Sequence, residues 1–112
     1  GEEKDIKRVF FESDVMVLTS RYEGLPNVIC ESMLLGCPVI ATSISDNPYI
    51  LGRNSERGIL CSPNSPRSLL KAIEYLESMS SEKHFNMVRK AREFAQNNFD
   101  LEIMVKKYLT KV

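Results

Sequence analysis

Two carboxylates and the turn between them are the residues best placed to do chemistry. Glu23 and Glu31 are separated by seven residues, Gly24-Leu25-Pro26-Asn27-Val28-Ile29-Cys30. Gly24 lets the backbone approach a ligand closely. Pro26-Asn27 reads as a helix start, because a proline at the first helical position gives up an N–H that has no partner there. The first-turn amides of that helix are unpaired and the dipole is positive, which suits a phosphate. Glu31 then lies about one turn inside, roughly 6 Å along the axis at 1.5 Å per residue. An ionised carboxylate only accepts hydrogen bonds and can take two O–H donors, so a vicinal diol fits it. One acid for hydroxyls on each side of an anion is the layout of a nucleotide sugar: sugar hydroxyls, diphosphate, ribose hydroxyls. A second reading stands beside it. Glu31 on a mostly apolar helix can snorkel to solvent or cap a neighbouring loop, and Glu23 can be an exposed turn residue. The pattern alone leaves both open.

These residues need elements to hold them. Val15-Met16-Val17-Leu18 is a short apolar run of strand type, and Pro38-Val39-Ile40-Ala41-Thr42 and Gly58-Ile59-Leu60-Cys61 are two more. Asn27 to Leu35, closed by Gly36, reads as a helix with a C-terminal glycine. Ile6, Val9 and Phe10 have helical spacing. After Cys61 the pattern is helical throughout. Ser65-Pro66 opens a helix with Leu69, Leu70, Ile73 and Leu76. A second runs from about Ser81 to Gln96 with Phe85, Val88, Ala91 and Ala95, and Asn97-Asn98 breaks it. Asp100 starts a third with Leu101, Met104, Val105, Tyr108 and Leu109. The predicted order is α-β-α-β-(short α)-β-α-α-α.

Continuous apolar strands separated by helices imply a parallel sheet covered on both faces. The expected fold is therefore α/β, a Rossmann-like three-layer arrangement with a short parallel sheet of about three strands flanked by helices and a helical C-terminal part. The Glu23 turn follows the C-terminal end of a strand, the side of an open parallel sheet where ligands bind. A sheet of three strands leaves at least one edge open unless another segment pairs with it.

Composition narrows the classes. The chain has 112 residues, 15 Lys+Arg and 15 Asp+Glu, for a formal net charge of zero. Balanced charge argues against a nucleic-acid partner, which needs a cationic face; Lys106, Lys107 and Lys111 read as a solvated helix face. No apolar run reaches the roughly 18 residues of a membrane span, and the charged start Gly1-Glu2-Glu3-Lys4-Asp5 does not resemble a signal peptide. Cys30, Cys37 and Cys61 are odd in number and lack Cys-x-x-Cys spacing, so buried thiols in a reducing cytoplasm are expected rather than a disulfide framework or a zinc site. His84 reads as a helix residue, surface or half-buried. A receiver-type signalling domain needs an acid at a strand's C-terminal end, whereas Asp14 precedes the first strand. A purely structural domain leaves the Glu spacing unexplained.

The stretch from Ser13 to Asn27, with Glu31-Ser32-Met33 and Gly36-Cys37-Pro38-Val39-Ile40-Ala41-Thr42, resembles the C-terminal domain of GT-B fold retaining glycosyltransferases of family 4, the group 1 type. That family's signature is Glu, seven residues, Glu, matched here by Glu23 and Glu31. The resemblance implies a single partial domain over 1–112, the C-terminal nucleotide-sugar-binding half of a hexosyl-type enzyme of polysaccharide, glycolipid or glycoprotein synthesis. It implies that Glu23 positions the donor sugar, that Gly24, Leu25, Pro26 and Asn27 form the substrate-binding loop and helix start, and that Glu31 holds the ribose. The implied substrate is a UDP- or GDP-sugar, with no bound metal and no other cofactor. A sugar or lipid-linked acceptor would meet an N-terminal domain, with possible peripheral membrane association of the parent, in the cytoplasm. Ser45-Asp46-Asn47-Pro48-Tyr49 stands where the family commonly has Gly-Gly and then an acid; Tyr49 takes about that acid's place. Arg21 is near the motif but not at the family's phosphate-contacting basic positions, which would lie upstream, so the fragment alone is expected to be inactive. The alternative is a non-catalytic nucleotide-binding or regulatory module of the same fold.

Overall fold

The computed structural model describes residues 6–11, 15–20 and 26–99. Four strands, β1 (Ile6–Phe11), β2 (Val15–Ser20), β3 (Val39–Thr42) and β4 (Ile59–Cys61), form one sheet in the order β1-β2-β3-β4. β2, β3 and β4 are parallel, in the registers Leu18↔Ala41 and Thr42↔Cys61. This is the short parallel sheet the apolar runs imply. Four helices cover it: α1 (Pro26–Leu34), α2 (Asn47–Leu51), α3 (Pro66–Glu77) and α4 (Ser81–Asn98).

Residues 6–11 correct the sequence reading. They form a strand, not a helix, and pair antiparallel with β2 from Ile6↔Ser20 to Phe11↔Val15. Ile6, Val9 and Phe10 satisfy helical spacing, but they and Phe11 are also β-branched or aromatic and fit a pleated surface. The edge of β2, only three residues further along the chain, offers a full row of backbone partners, and that hairpin pairing decides the outcome. The edge expected to lie open is thus taken by the chain itself.

The strands alternate between the two faces with period two. Met16, Leu18, Val39 and Ala41 pack with Val28, Ile29, Cys30 and Met33 of α1, Ile50 and Leu51 of α2, and Ala91 and Ala95 of α4. Val17, Ile40, Ile59 and Cys61 pack on the other face with Ala72 and Leu76 of α3 and Met87 of α4. Helix α4 therefore begins on one face and finishes on the other, and the result is three layers with the sheet in the middle.

The helix ends follow the expected chemistry. Ser65 accepts a hydrogen bond from the Ser68 amide at 3.0 Å with Pro66 next in the chain, and Ser80 accepts one from the Lys83 amide at 3.1 Å. At the end of α1 the Gly36 amide donates to Met33 and the Cys37 amide to Ser32, with Gly36 at a φ of 79°. That paired pattern is a Schellman motif, which favours glycine at the left-handed position. A Cβ on Gly36 would also meet the Arg92 guanidinium at 2.7 Å.

Two helical stripes differ from expectation. Leu70 is exposed, and α3 buries Ala72 and Leu76, with Leu69 and Ile73 packed at the edge. Phe85 is likewise exposed, and α4 buries Met87, Ala91 and Ala95. These three recur every four residues, and the alanines let the helix approach the sheet layer closely. Helix α4 also runs two residues past Gln96, with the Asn98 side-chain amide donating to the Phe94 carbonyl at 2.9 Å. The helix expected after Asp100 lies outside the described residues.

Candidate functional site

The parallel strands end at Ser20, Thr42 and Cys61, so the connections after them leave from one end of the sheet. The connection after β2 leads into α1 at Pro26. Glu23, Gly24 and Leu25 lie outside the described residues, as does Arg21. Pro26 and Asn27 form the first turn of α1, where the sequence predicts the helix to begin.

Helix α1 is unlike an ordinary surface helix. Ile29 and Cys30 are fully buried and Ser32 and Met33 nearly so. The Ser32 hydroxyl donates back to the Val28 carbonyl at 3.1 Å, which satisfies it inside the core. Glu31, between these residues, is only half-buried. Among the described residues, no side chain forms an ion pair or hydrogen bond with it. Its carboxylate keeps its acceptor capacity for something else. Burial pushes the neighbouring Cys30 thiol up to about 11, and the Glu31 charge adds to that effect. Cys30 is therefore a packing thiol rather than a nucleophile at neutral pH. Cys61 is also buried and its pKa raised by burial, while Cys37 is half-buried.

The connection after β3 is built quite differently. The Ser43 amide donates to the Cys61 carbonyl at 2.8 Å, tying this loop to β4. Asn47 is buried, and its side-chain amide donates to the Thr42 carbonyl at 2.8 Å while its backbone amide donates to Ile44 at 3.0 Å. Within this turn Ser45 has a φ of 51°. Sequence reading missed the role of Asn47. The Asp46-Asn47-Pro48 run after a strand is its visible signal, since Asn side chains bond nearby backbone and stabilise turns. Tyr49, in the place of an expected acid, is two-thirds exposed; its ring meets that of Phe94 edge-on, with centroids 5.6 Å apart.

Arg57 was also invisible to pattern reading. Its Nε donates to the Ile50 carbonyl and its Nη2 to the Tyr49 carbonyl, each at 2.8 Å, and its guanidinium lies 4.3 Å from the centre of the Phe94 ring. The third connection, after β4, is pinned where the Ser62 amide donates to the Ser68 hydroxyl at 2.8 Å. His84 is half-buried on α4. No group of three His, Cys, Asp or Glu side chains that could share a metal ion occurs among the described residues. Nor is any described helix long and apolar enough to cross a membrane.

Comparison with known proteins bears on this arrangement. The family model described as Glycosyl transferases group 1 matches residues 1–94. N-acetyl-alpha-D-glucosaminyl L-malate synthase of Bacillus anthracis is 30% identical over 111 residues, 98% of this chain and 28% of the relative. The Vi polysaccharide biosynthesis protein VipC/TviE of Salmonella typhi is 29% identical over 109 residues, 94% of this chain and 18% of that protein. Among solved structures, a glycosyltransferase from Rickettsia africae superposes with a TM-score of 0.71 at 26% identity, covering 88% of this chain and 26% of its own. The chain spans less than a third of the length of each.

Proposed function

The chain belongs to the family Glycosyl transferases group 1, and we propose that it carries half of the nucleotide-sugar donor site of a retaining, family 4, hexosyl-type glycosyltransferase with the GT-B fold. The observation that carries this reading is the position of Glu31. It is the half-exposed acid among the buried Val28, Ile29, Cys30, Ser32 and Met33 of α1, the helix that follows β2 in the chain, and the connections after parallel strands lie at the ligand side of such a sheet.

In this reading Glu31 accepts hydrogen bonds from the two ribose hydroxyls, and the first-turn amides of α1 face the diphosphate. Glu23 positions the donor sugar from the turn that precedes α1. Gly24, Leu25, Pro26 and Asn27 serve as the substrate-binding loop and helix start, Pro26 contributing shape only because it has no N–H. Developing charge on the leaving diphosphate is met by amides and the helix dipole. The donor is a UDP- or GDP-sugar, used in the cytoplasm for polysaccharide, glycolipid or glycoprotein synthesis. The relative from Salmonella typhi named for Vi polysaccharide biosynthesis supports that role. The 112 residues act as part of the C-terminal half of a longer enzyme, whose other half takes a sugar or lipid-linked acceptor, with peripheral membrane contact where that acceptor is a lipid. On its own the chain does not transfer sugar.

The test uses the full-length protein with UDP and GDP titrated separately by calorimetry. Glu31→Ala weakens binding of the cognate diphosphate by at least about tenfold, the scale of a lost hydrogen bond to a charged group. Glu23→Ala leaves that binding within about twofold but removes sugar transfer, because its partner is the sugar rather than the nucleotide. Unchanged nucleotide binding in Glu31→Ala would overturn the assignment.

A further inference from the structure

We infer that the outer face of α4, with Leu35 beside it, is a docking surface for a second copy of this chain: two α4 helices pack antiparallel about a twofold axis at the level of Met87. The dimer needs nothing from the donor site and stands or falls apart from it.

Two large apolar side chains face water on neighbouring elements. Leu35 is 81% exposed just past the end of α1, and Phe85 is 64% exposed in the second turn of α4. A Cβ on Gly36 would meet the Arg92 guanidinium at 2.7 Å and the Val88 side chain at 3.8 Å. The end of α1 therefore rests against the flank of α4 that carries those two residues. Phe85 precedes Val88 by three positions and Arg92 by seven, so it shares that flank. Scattered apolar residues on a surface are ordinary, but large ones gathered beside one helix point to a face that becomes covered.

Charge says what covers it. Glu82, Phe85, Arg89 and Arg92 recur at steps of three and four residues, and all four are exposed. That spacing is the seam of a helix pair, and it lies away from the buried Met87, Ala91 and Ala95. Among the described residues, neither Glu82 nor Arg92 has an ion-pair partner. They stand ten positions apart, about 15 Å along the axis, with Met87 midway. A twofold interface uses one patch on both sides, so that patch must be complementary to itself. An antiparallel copy centred on Met87 meets this condition, because Glu82 faces the partner's Arg92 at both ends of the contact. A parallel copy would set Glu82 against glutamate and Arg92 against arginine, which repel.

The same symmetry handles the apolar residues. Positions 85 and 89 are also equidistant from 87, so the partner's Phe85 comes to the level of Arg89, where a guanidinium can lie on its ring. Leu35, beside Val88 and Arg92, borders that ring. Helix α4 has 18 residues, a length of about 27 Å. One helix pair of that length belongs to the small interfaces, below about 1,200 Å², so association is weak and sets in at roughly micromolar concentration.

Sedimentation velocity of the full-length protein from about 1 to 100 µM is the test. The wild type passes from monomer to dimer over that range. Phe85→Glu stays monomeric, and its unfolding midpoint remains within about 2 °C of the wild type because the side chain is exposed. Glu82→Arg and Arg92→Glu each weaken association by about tenfold, since each puts like charges face to face twice. The double variant Glu82→Arg/Arg92→Glu restores it to within about threefold. A wild type that is monomeric throughout, a dimer untouched by Phe85→Glu, or a double variant no tighter than the single ones overturns the proposal. A monomeric wild type that co-sediments with phosphatidylglycerol vesicles, and loses this in Phe85→Glu, gives the face to a membrane and overturns it as well.

Discussion

Helices α1 and α3 both follow a strand of the parallel sheet, yet they are opposite in character. α1 buries Ile29, Cys30, Ser32 and Met33 on successive sides and has one half-exposed acid in their midst. α3 fully buries only Ala72 and Leu76, packs Leu69 and Ile73 at the core's edge, and turns the rest of its length, Leu70 included, toward solvent. An acid on α3, such as Glu74 or Glu77, needs no explanation, because water solvates it. On α1 the same side chain occupies one of few places that helix shows to solvent. The difference teaches that a polar residue gains functional weight from the burial of its neighbours, not from its own charge.

That contrast can be broken. The largest expected effect is at Met33, 1% exposed in the middle of the α1 core. Met33→Ala costs about 3 kcal/mol in denaturant unfolding, whereas Leu70→Ala on α3 changes stability by less than about 0.5 kcal/mol. Comparable losses at the two positions would show that α3 is as deeply packed as α1.

The next effect is a pH dependence that α1 contributes and α3 does not. The Cys30 thiol is raised from 9.0 to about 11 in the folded protein. The folded state thus holds its proton where the unfolded chain has lost it. Its stabilising contribution is complete below about pH 9 and is lost as pH rises toward 11. The drop in stability across that window is up to roughly 2.5 kcal/mol larger in the wild type than in Cys30→Ala. Parallel pH profiles for the two proteins would remove Cys30 from the cause.

The smallest effect sharpens the α3 side. Helix α3 opens on a side-chain cap, so Ser65→Ala, which removes the acceptor for the Ser68 amide, costs about 1 kcal/mol by the same measurement. That one exposed cap should then outweigh the exposed Leu70 side chain.

The comparison also explains what could be read in advance. Ser65-Pro66 and Gly36 are local signals whose chemistry is complete within a few residues, and both ends fall where such residues place them. The apolar runs of β2, β3 and β4 are legible because a strand buried on both faces has no other reading near a glycine or proline. Residues 6–11 were not legible as a strand, since Ile6, Val9 and Phe10 fit two periods and the hairpin pairing with β2 that decides between them is not announced by a turn signal such as Asn-Gly in 12–14. On α4, Ala91 and Ala95 are buried where the stripe places them, while the large apolar Phe85 is exposed and Met87, outside the stripe, is buried; close approach, not side-chain size, sets which face packs. In the site, Glu31 could be found by its spacing from Glu23. Arg57 could not, because its partners are two carbonyls seven and eight residues upstream and a ring on α4.

The loop that returns from α2 to β4 has a practical use. Arg53 and Asn54 are exposed there, in the loop that enters the N-terminal end of β4, whereas the connections that lead to Glu31 and Ser45 leave the C-terminal ends of β2 and β3. A cysteine placed at Arg53 would give a handle for a fluorophore or for coupling to a sensor surface. Protein immobilised through it would present the opposite end of the sheet to solution, so nucleotide capture could be followed without labelling the ligand.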